Sequence, residues 1–183
     1  MKIRLASFLQ NDSIVDGEGI RTVIWTQGCS HNCPNCHNPS THDFNGGFLV
    51  DIEEIKKELK NSTGQDGITF SGGDPMFQTK ECIEIAKYAK KLNLSVWCYT
   101  GFLYEELLKS KYQKEFLKYI DVLVDGKFKP EEFSLNLQYK GSRNQRIIDV
   151  KKSLSENKVI LIEKYKEEKD YSPLYKKENS IFI

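Results

Sequence analysis

Cys29, Cys33 and Cys36 fall within eight residues, in the spacing Cys-x3-Cys-x2-Cys. No other feature restricts this chain as much. Three sulfurs can meet around one centre only if the backbone between them turns repeatedly. Gly28, Pro34 and Pro39 prevent regular structure through this stretch. The apolar run Thr22-Val23-Ile24-Trp25-Thr26 before it reads as a buried strand, over 21–27. The cysteines therefore sit just past a strand end, where sites collect in α/β proteins. A 4Fe–4S cube needs a ligand at each iron, and proteins usually supply four thiolates. Three local cysteines would leave one iron open to a small molecule.

Zinc is the main rival. With His31, His37 or His42 the three cysteines would make a Cys3His site. A disulfide reading is weaker, because no signal-peptide pattern opens the chain and cysteines in the cytosol stay reduced. Cys82, on a helical pattern, and Cys98, in an apolar run, read as buried free thiols.

The 183 residues suffice for one domain with a sizeable core. Twenty-seven basic and 26 acidic side chains leave a formal charge of +1, which supports neither a nucleic-acid nor an anionic-membrane surface. No apolar stretch is long enough to span a bilayer. A cytoplasmic protein is expected.

Strand and helix patterns alternate. Helices are expected over 51–60, with Asp51 as N-cap and Ile52, Ile55 and Leu59 inward, and over 79–91, with Thr79 as N-cap. Helical sequence over 103–119 breaks near Ser110. Strands are expected at Ile68-Thr69-Phe70, 94–99 and 120–124. Such alternation implies a parallel sheet with right-handed crossovers. The chain is too short for eight β/α units, so an α/β fold built as a partial, open (β/α) barrel is expected.

These residues resemble a known family. The cysteine loop resembles the cluster motif of the radical S-adenosylmethionine enzymes. Asp16-Gly17-Glu18-Gly19-Ile20-Arg21-Thr22, Cys36-His37-Asn38-Pro39 and Ser71-Gly72-Gly73-Asp74-Pro75 resemble segments of one branch, the glycyl-radical activating enzymes. Tyr99-Thr100-Gly101-Phe102, the run from Val122 to Phe128 and the run from Gly141 to Asp149 narrow the likeness to the activators of anaerobic ribonucleoside-triphosphate reductases. The segments occur in the family's order and cover residues 10–150. Departures are Glu18 where proline is frequent, Asn35 where many members carry an aromatic residue, and Asp74 in place of the commoner glutamate.

The resemblance implies a 4Fe–4S cluster on Cys29, Cys33 and Cys36, with S-adenosylmethionine chelating the open iron. It implies backbone contacts to that cofactor from Asn35, Cys36 and His37, and contacts from Gly72, Gly73, Asp74 and Thr100. Asp125 and Lys127 would hold the methionine carboxylate region or a neighbouring ion, or form a surface turn. A Cβ on Gly73 would displace the cofactor and spare the cluster. Reductive cleavage would yield a 5′-deoxyadenosyl radical that takes hydrogen from a glycine Cα of the partner reductase. The reducing electron would come from a low-potential donor such as flavodoxin. No side chain is required as general acid or base, so His31, His37 and His42 receive no catalytic role.

Residues 1–150 are accordingly read as a radical S-adenosylmethionine domain and 151–183 as a C-terminal extension. Val159-Ile160-Leu161-Ile162 would add one strand, and the stretch through Lys166-Glu167-Glu168-Lys169 would be a solvated tail. Lys140 to Arg146, with two arginines, is a candidate rim for the partner. A different activase, or a small-molecule enzyme such as a deazaguanine synthase, shares the cluster motif and stays open as an alternative, as does a zinc module.

Overall fold

The computed structural model describes residues 1–166 and 168. Its strands are β1 (Lys2–Leu5), β2 (Gln10–Ser13), β3 (Arg21–Thr26), β4 (Phe48–Asp51), β5 (Gly67–Gly72), β6 (Ser95–Tyr99), β7 (Val122–Asp125) and β8 (Arg146–Asp149). Its α-helices are α1 (Ile52–Asn61), α2 (Thr79–Lys91), α3 (Tyr104–Leu107), α4 (Lys111–Leu117) and α5 (Val150–Glu156). Among the described residues the strands form one eight-stranded sheet in the order β4-β1-β3-β5-β6-β7-β8, with β2 also paired to β3. The fold is α/β and the sheet is open, with β4 and β8 at its ends.

Only β3, β5, β6 and β7 run parallel. These are the four strands expected from the sequence; the flanking strands, which were not expected, are antiparallel. The connections explain it. A parallel return needs a crossover of a dozen or more residues, usually a helix. Beyond β7 the chain reaches β8 through residues 126–145, which hold one short 3-10 turn and no α-helix.

The helices cover one face of the sheet. Ile55 and Leu59 of α1, Ile85 and Ala89 of α2 and Phe116 of α4 close over Ile24, Phe70, Val96 and Leu123. Each such Ile, Leu, Val or Phe side chain contributes about 1.5–3 kcal/mol relative to exposure. Cys82 and Cys98 lie in this core, and burial pushes both thiols well up. Asp51 caps α1 by accepting from the Glu53 amide at 3.1 Å, and Ser110 precedes α4. Thr79 does not cap α2; the cap position is Gln78. Its amide is used elsewhere, accepting from Arg4 N at 2.8 Å and donating to Gln27 O at 3.0 Å. No described helix is long and apolar enough to cross a membrane.

The other face carries Trp97, Val124 and Ile147, with Tyr165 packed on them. Arg21 lies on this side with no exposure at all. Its guanidinium donates to Thr69 Oγ1 (2.7 Å), Glu18 O (2.9 Å), Ser95 Oγ (2.9 Å) and Ile68 O (2.5 Å), all uncharged oxygens. Burial lowers its pKa to about 10. Gly17, at φ +124°, passes over Trp97, and a Cβ there would come within 2.7 Å of the indole. The segment from Asp16 to Thr22 is thus a structural pin across the sheet.

The C-terminal part departs from expectation. Val159–Ile162 forms no full strand, only a bridge between Leu161 and Ile148, and β8 is the last strand among the described residues. Residues 163–165 make a 3-10 turn that buries Tyr165, while Lys166 and Glu168 are exposed. The remaining tail, Glu167 and 169–183, lies outside the described residues.

Candidate active site

A cavity of about 680 Å³ opens where the loops after β3, β5, β6 and β7 converge. Cys29, Cys33 and Cys36 line it, all three free and half-buried. The base of their loop is tied down by amides. Gly28 N donates to Thr41 O at 2.8 Å and Cys29 N to His42 O at 3.1 Å. Asn32 (φ 50°) and Asn35 (φ 52°) take left-handed backbone conformations. Asparagine enters that region more readily than a bulky aromatic, which fits Asn35 before the third cysteine.

Burial pushes the Cys29 thiol up to about 11. A thiol must deprotonate to ligate, so metal binding here would release protons. Among the described residues no group of three or more His, Cys, Asp and Glu converges tightly enough for a single metal ion.

The glycine-rich turn after β5 supports the cysteine loop from below. Gly73 N donates to Thr26 O at 2.7 Å, and Asp74 N donates to Gly28 O at 2.9 Å. A Cβ on Gly73 would meet Gly28 O at 2.5 Å and Gly28 N at 2.9 Å. The glycine is therefore needed by the cysteine loop itself, whatever lies in the cavity. Asp74 is 1% exposed. It accepts from the Thr100 hydroxyl at 2.8 Å and from Gly101 N at 3.0 Å, and His31 Nε2 lies 2.7 Å away.

The chain matches the model of the 4Fe-4S single cluster domain over residues 15–148. It is 34% identical to the anaerobic ribonucleoside-triphosphate reductase-activating protein of Haemophilus influenzae over 142 residues, 73% of this chain and 90% of that one. The proteins of the same name from Pasteurella multocida and Vibrio cholerae are 33% and 35% identical, each over 73% of this chain and 90% of the relative. This chain belongs to the anaerobic ribonucleoside-triphosphate reductase-activating protein family. Part of it, 55%, also overlaps 53% of the solved structure of QueE from Escherichia coli, at 14% identity and a TM-score of 0.47.

Of the residues expected at the site of this family member, Cys29, Cys33, Cys36, His37, Gly72, Gly73, Asp74 and Thr100 line the cavity. Asn35, Asp125 and Lys127 do not. Asp125 requires correction. It is fully buried, pairs with the Arg146 guanidinium (2.9 Å to Oδ1) and accepts from Tyr104 N at 2.8 Å. Its lone pairs are spent on the protein. Lys127 is exposed, and its carbonyl accepts from Asn144 at 2.8 Å. Arg146, expected at the partner rim, is held by Asp125 and by Glu105 at 3.0 and 2.8 Å.

Sequence reasoning missed the far wall of the cavity. Phe128, Phe133 and Tyr139 belong to the segment between β7 and β8 and line it. The His37 ring lies 4.6 Å from Phe128 and 6.2 Å from Phe133.

Proposed function

We propose that this chain is the activating enzyme of an anaerobic ribonucleoside-triphosphate reductase. Cys29, Cys33 and Cys36 would hold a 4Fe–4S cluster, and S-adenosylmethionine would occupy the adjoining cavity. The observation that carries this reading is three free, half-buried cysteines on one cavity wall, in a chain about one-third identical to proteins of that name. The match to a 4Fe-4S single cluster domain over residues 15–148 supports a cluster rather than a mononuclear zinc.

When both groups are bound, they supply one-electron cleavage of the sulfonium and removal of hydrogen from a glycine Cα of the reductase. The chain's own residues bind and orient. Gly72 and Gly73 bring backbone to the cavity wall without side chains in the way. The backbone at Cys36 and His37 would meet the cofactor, with the His37 ring braced by Phe128. Phe128, Phe133 and Tyr139 on the cavity wall would help to limit water at the reacting centre. Thr100 stands on the wall but spends its hydroxyl proton on Asp74. The open sheet, parallel at its centre, would serve as the partial barrel of a radical S-adenosylmethionine domain over 1–150, extended by 151–183. The setting would be the cytoplasm, with a donor such as flavodoxin supplying the electron.

The test is coupling. Under anaerobic reduction with S-adenosylmethionine, 5′-deoxyadenosine should form slowly from this protein alone and much faster with its cognate reductase. Formation independent of the reductase but dependent on an added metabolite would assign a small-molecule enzyme instead.

A further inference from the structure

His31 sits midway between Cys29 and Cys33, and the chemistry above gives it no task. Its surroundings are nonetheless fully built. Nε2 lies 2.7 Å from Asp74 Oδ2, with side-chain exposures of only 8% and 1%. The ring stands edge-on to Phe102 at 4.5 Å and 74°. Gly101 lies so close that a Cβ there would come within 2.5 Å of the His31 ring.

Asp74 is the hub of this arrangement. Besides His31, its carboxylate takes the amides of Met76 (2.9 Å) and Gly101 (3.0 Å) and the Thr100 hydroxyl. A buried carboxylate is tolerated only when it is paired in this way. Its oxygens are committed to three loops of the protein: the glycine-rich turn, the loop after β6 and the cysteine loop.

The cysteine loop needs such a tie. Between Ser30 and Asn35 no described amide donates to another backbone carbonyl; the next that does is Cys36 N, to Cys33 O at 3.2 Å. The His31–Asp74 contact ties that stretch to the glycine-rich turn at 2.7 Å. Thiolates that must meet a cluster in one geometry gain from such preorganisation, as metal ligands generally do from their supporting partners.

We infer that His31 is a positioning residue for the cluster cysteines, pinning the Cys29–Cys33 arm to Asp74. The inference rests on the cluster reading of those cysteines.

The full chain carrying His31→Ala or His31→Gln would be reconstituted anaerobically with iron and sulfide. Iron release to excess bipyridyl and the electron paramagnetic resonance of the reduced cluster would be recorded. Thermal unfolding of the metal-free proteins reports the fold separately. His31→Ala should release iron about tenfold faster, in line with the tenfold or greater loss of metal affinity that follows removal of a supporting partner, and shift the resonance. His31→Gln carries an amide N–H near the position of Nε2–H, and should recover most of the loss. The inference is overturned if the alanine variant keeps iron and spectrum as the natural protein does. It is equally overturned if glutamine fails as badly as alanine, since ring packing rather than the bond would then matter. Natural protein that takes up zinc and no iron would remove the cluster reading itself.

Discussion

Gly73 lies against Gly28: a Cβ on the first would come within 2.5 Å of the carbonyl oxygen of the second. Backbone cannot yield there as a flexible side-chain tip would. Gly73→Ala should therefore disturb the base of the cysteine loop and lose most of its iron and sulfide, assayed per chain after anaerobic reconstitution. A variant with full iron but no cleavage of S-adenosylmethionine would instead place the glycine's role in cofactor binding, as the sequence alone suggested.

The five cysteines should divide cleanly. Alanine at Cys29, Cys33 or Cys36 should abolish cluster assembly, read as lost visible absorbance and lost iron. Cys82→Ala and Cys98→Ala should keep the cluster and cost about 1 kcal/mol of stability, the typical size for one substitution. Cluster loss in either core variant without unfolding would contradict the assignment.

Asp125 has no solvent exposure, and Arg146 is the cation beside it. Arg146→Ala strands a buried carboxylate, and breaking such a pair costs about 3 kcal/mol. The urea midpoint should fall accordingly. Arg143, exposed and paired with Glu168, should give almost no change when replaced by alanine. Equal midpoints for the two variants would refute the structural reading of Arg146.

Much of this was legible beforehand. The order strand, loop, helix after β5 and β6, and the strand before the cysteine loop, follow from apolar runs that end at glycine; β4, between that loop and α1, was not foreseen. Gln10-Asn11-Asp12-Ser13 gave no strand signal, since only Ser13 is buried and the pairing comes from β3. The cavity residues on the cysteine and glycine-rich loops were readable because spacing and turn chemistry are local. The fate of Asp125 was not, because its partner lies 21 residues further on and belongs to a strand that the sequence did not announce. Tyr165 was hidden for the same reason: its neighbours are Trp97 and Tyr139.

A pH dependence follows from Glu18. The Lys164 ammonium, at 2.6 and 2.7 Å, holds its carboxyl below the ordinary value of 4.5, with slight burial opposing. A carboxylate with a lowered folded pKa stabilises above the ordinary value and loses that contribution as pH falls through the folded value. In metal-free protein, docking of the 163–166 turn on Trp97 should loosen below the ordinary carboxylate range, seen as a step in tryptophan fluorescence. Glu18→Gln should remove the step; an identical step in that variant would exclude this ion pair as its source.

The most direct measurement is electron paramagnetic resonance on an anaerobic mixture of this protein, its cognate reductase, S-adenosylmethionine and a low-potential reductant. A persistent doublet from a glycyl radical on the reductase is expected. It should be absent with Cys33→Ala, and absent when the reductase's radical glycine is replaced by alanine. A protein that carries its cluster and cleaves S-adenosylmethionine, yet raises no glycyl radical on its genuine partner, would contradict the account.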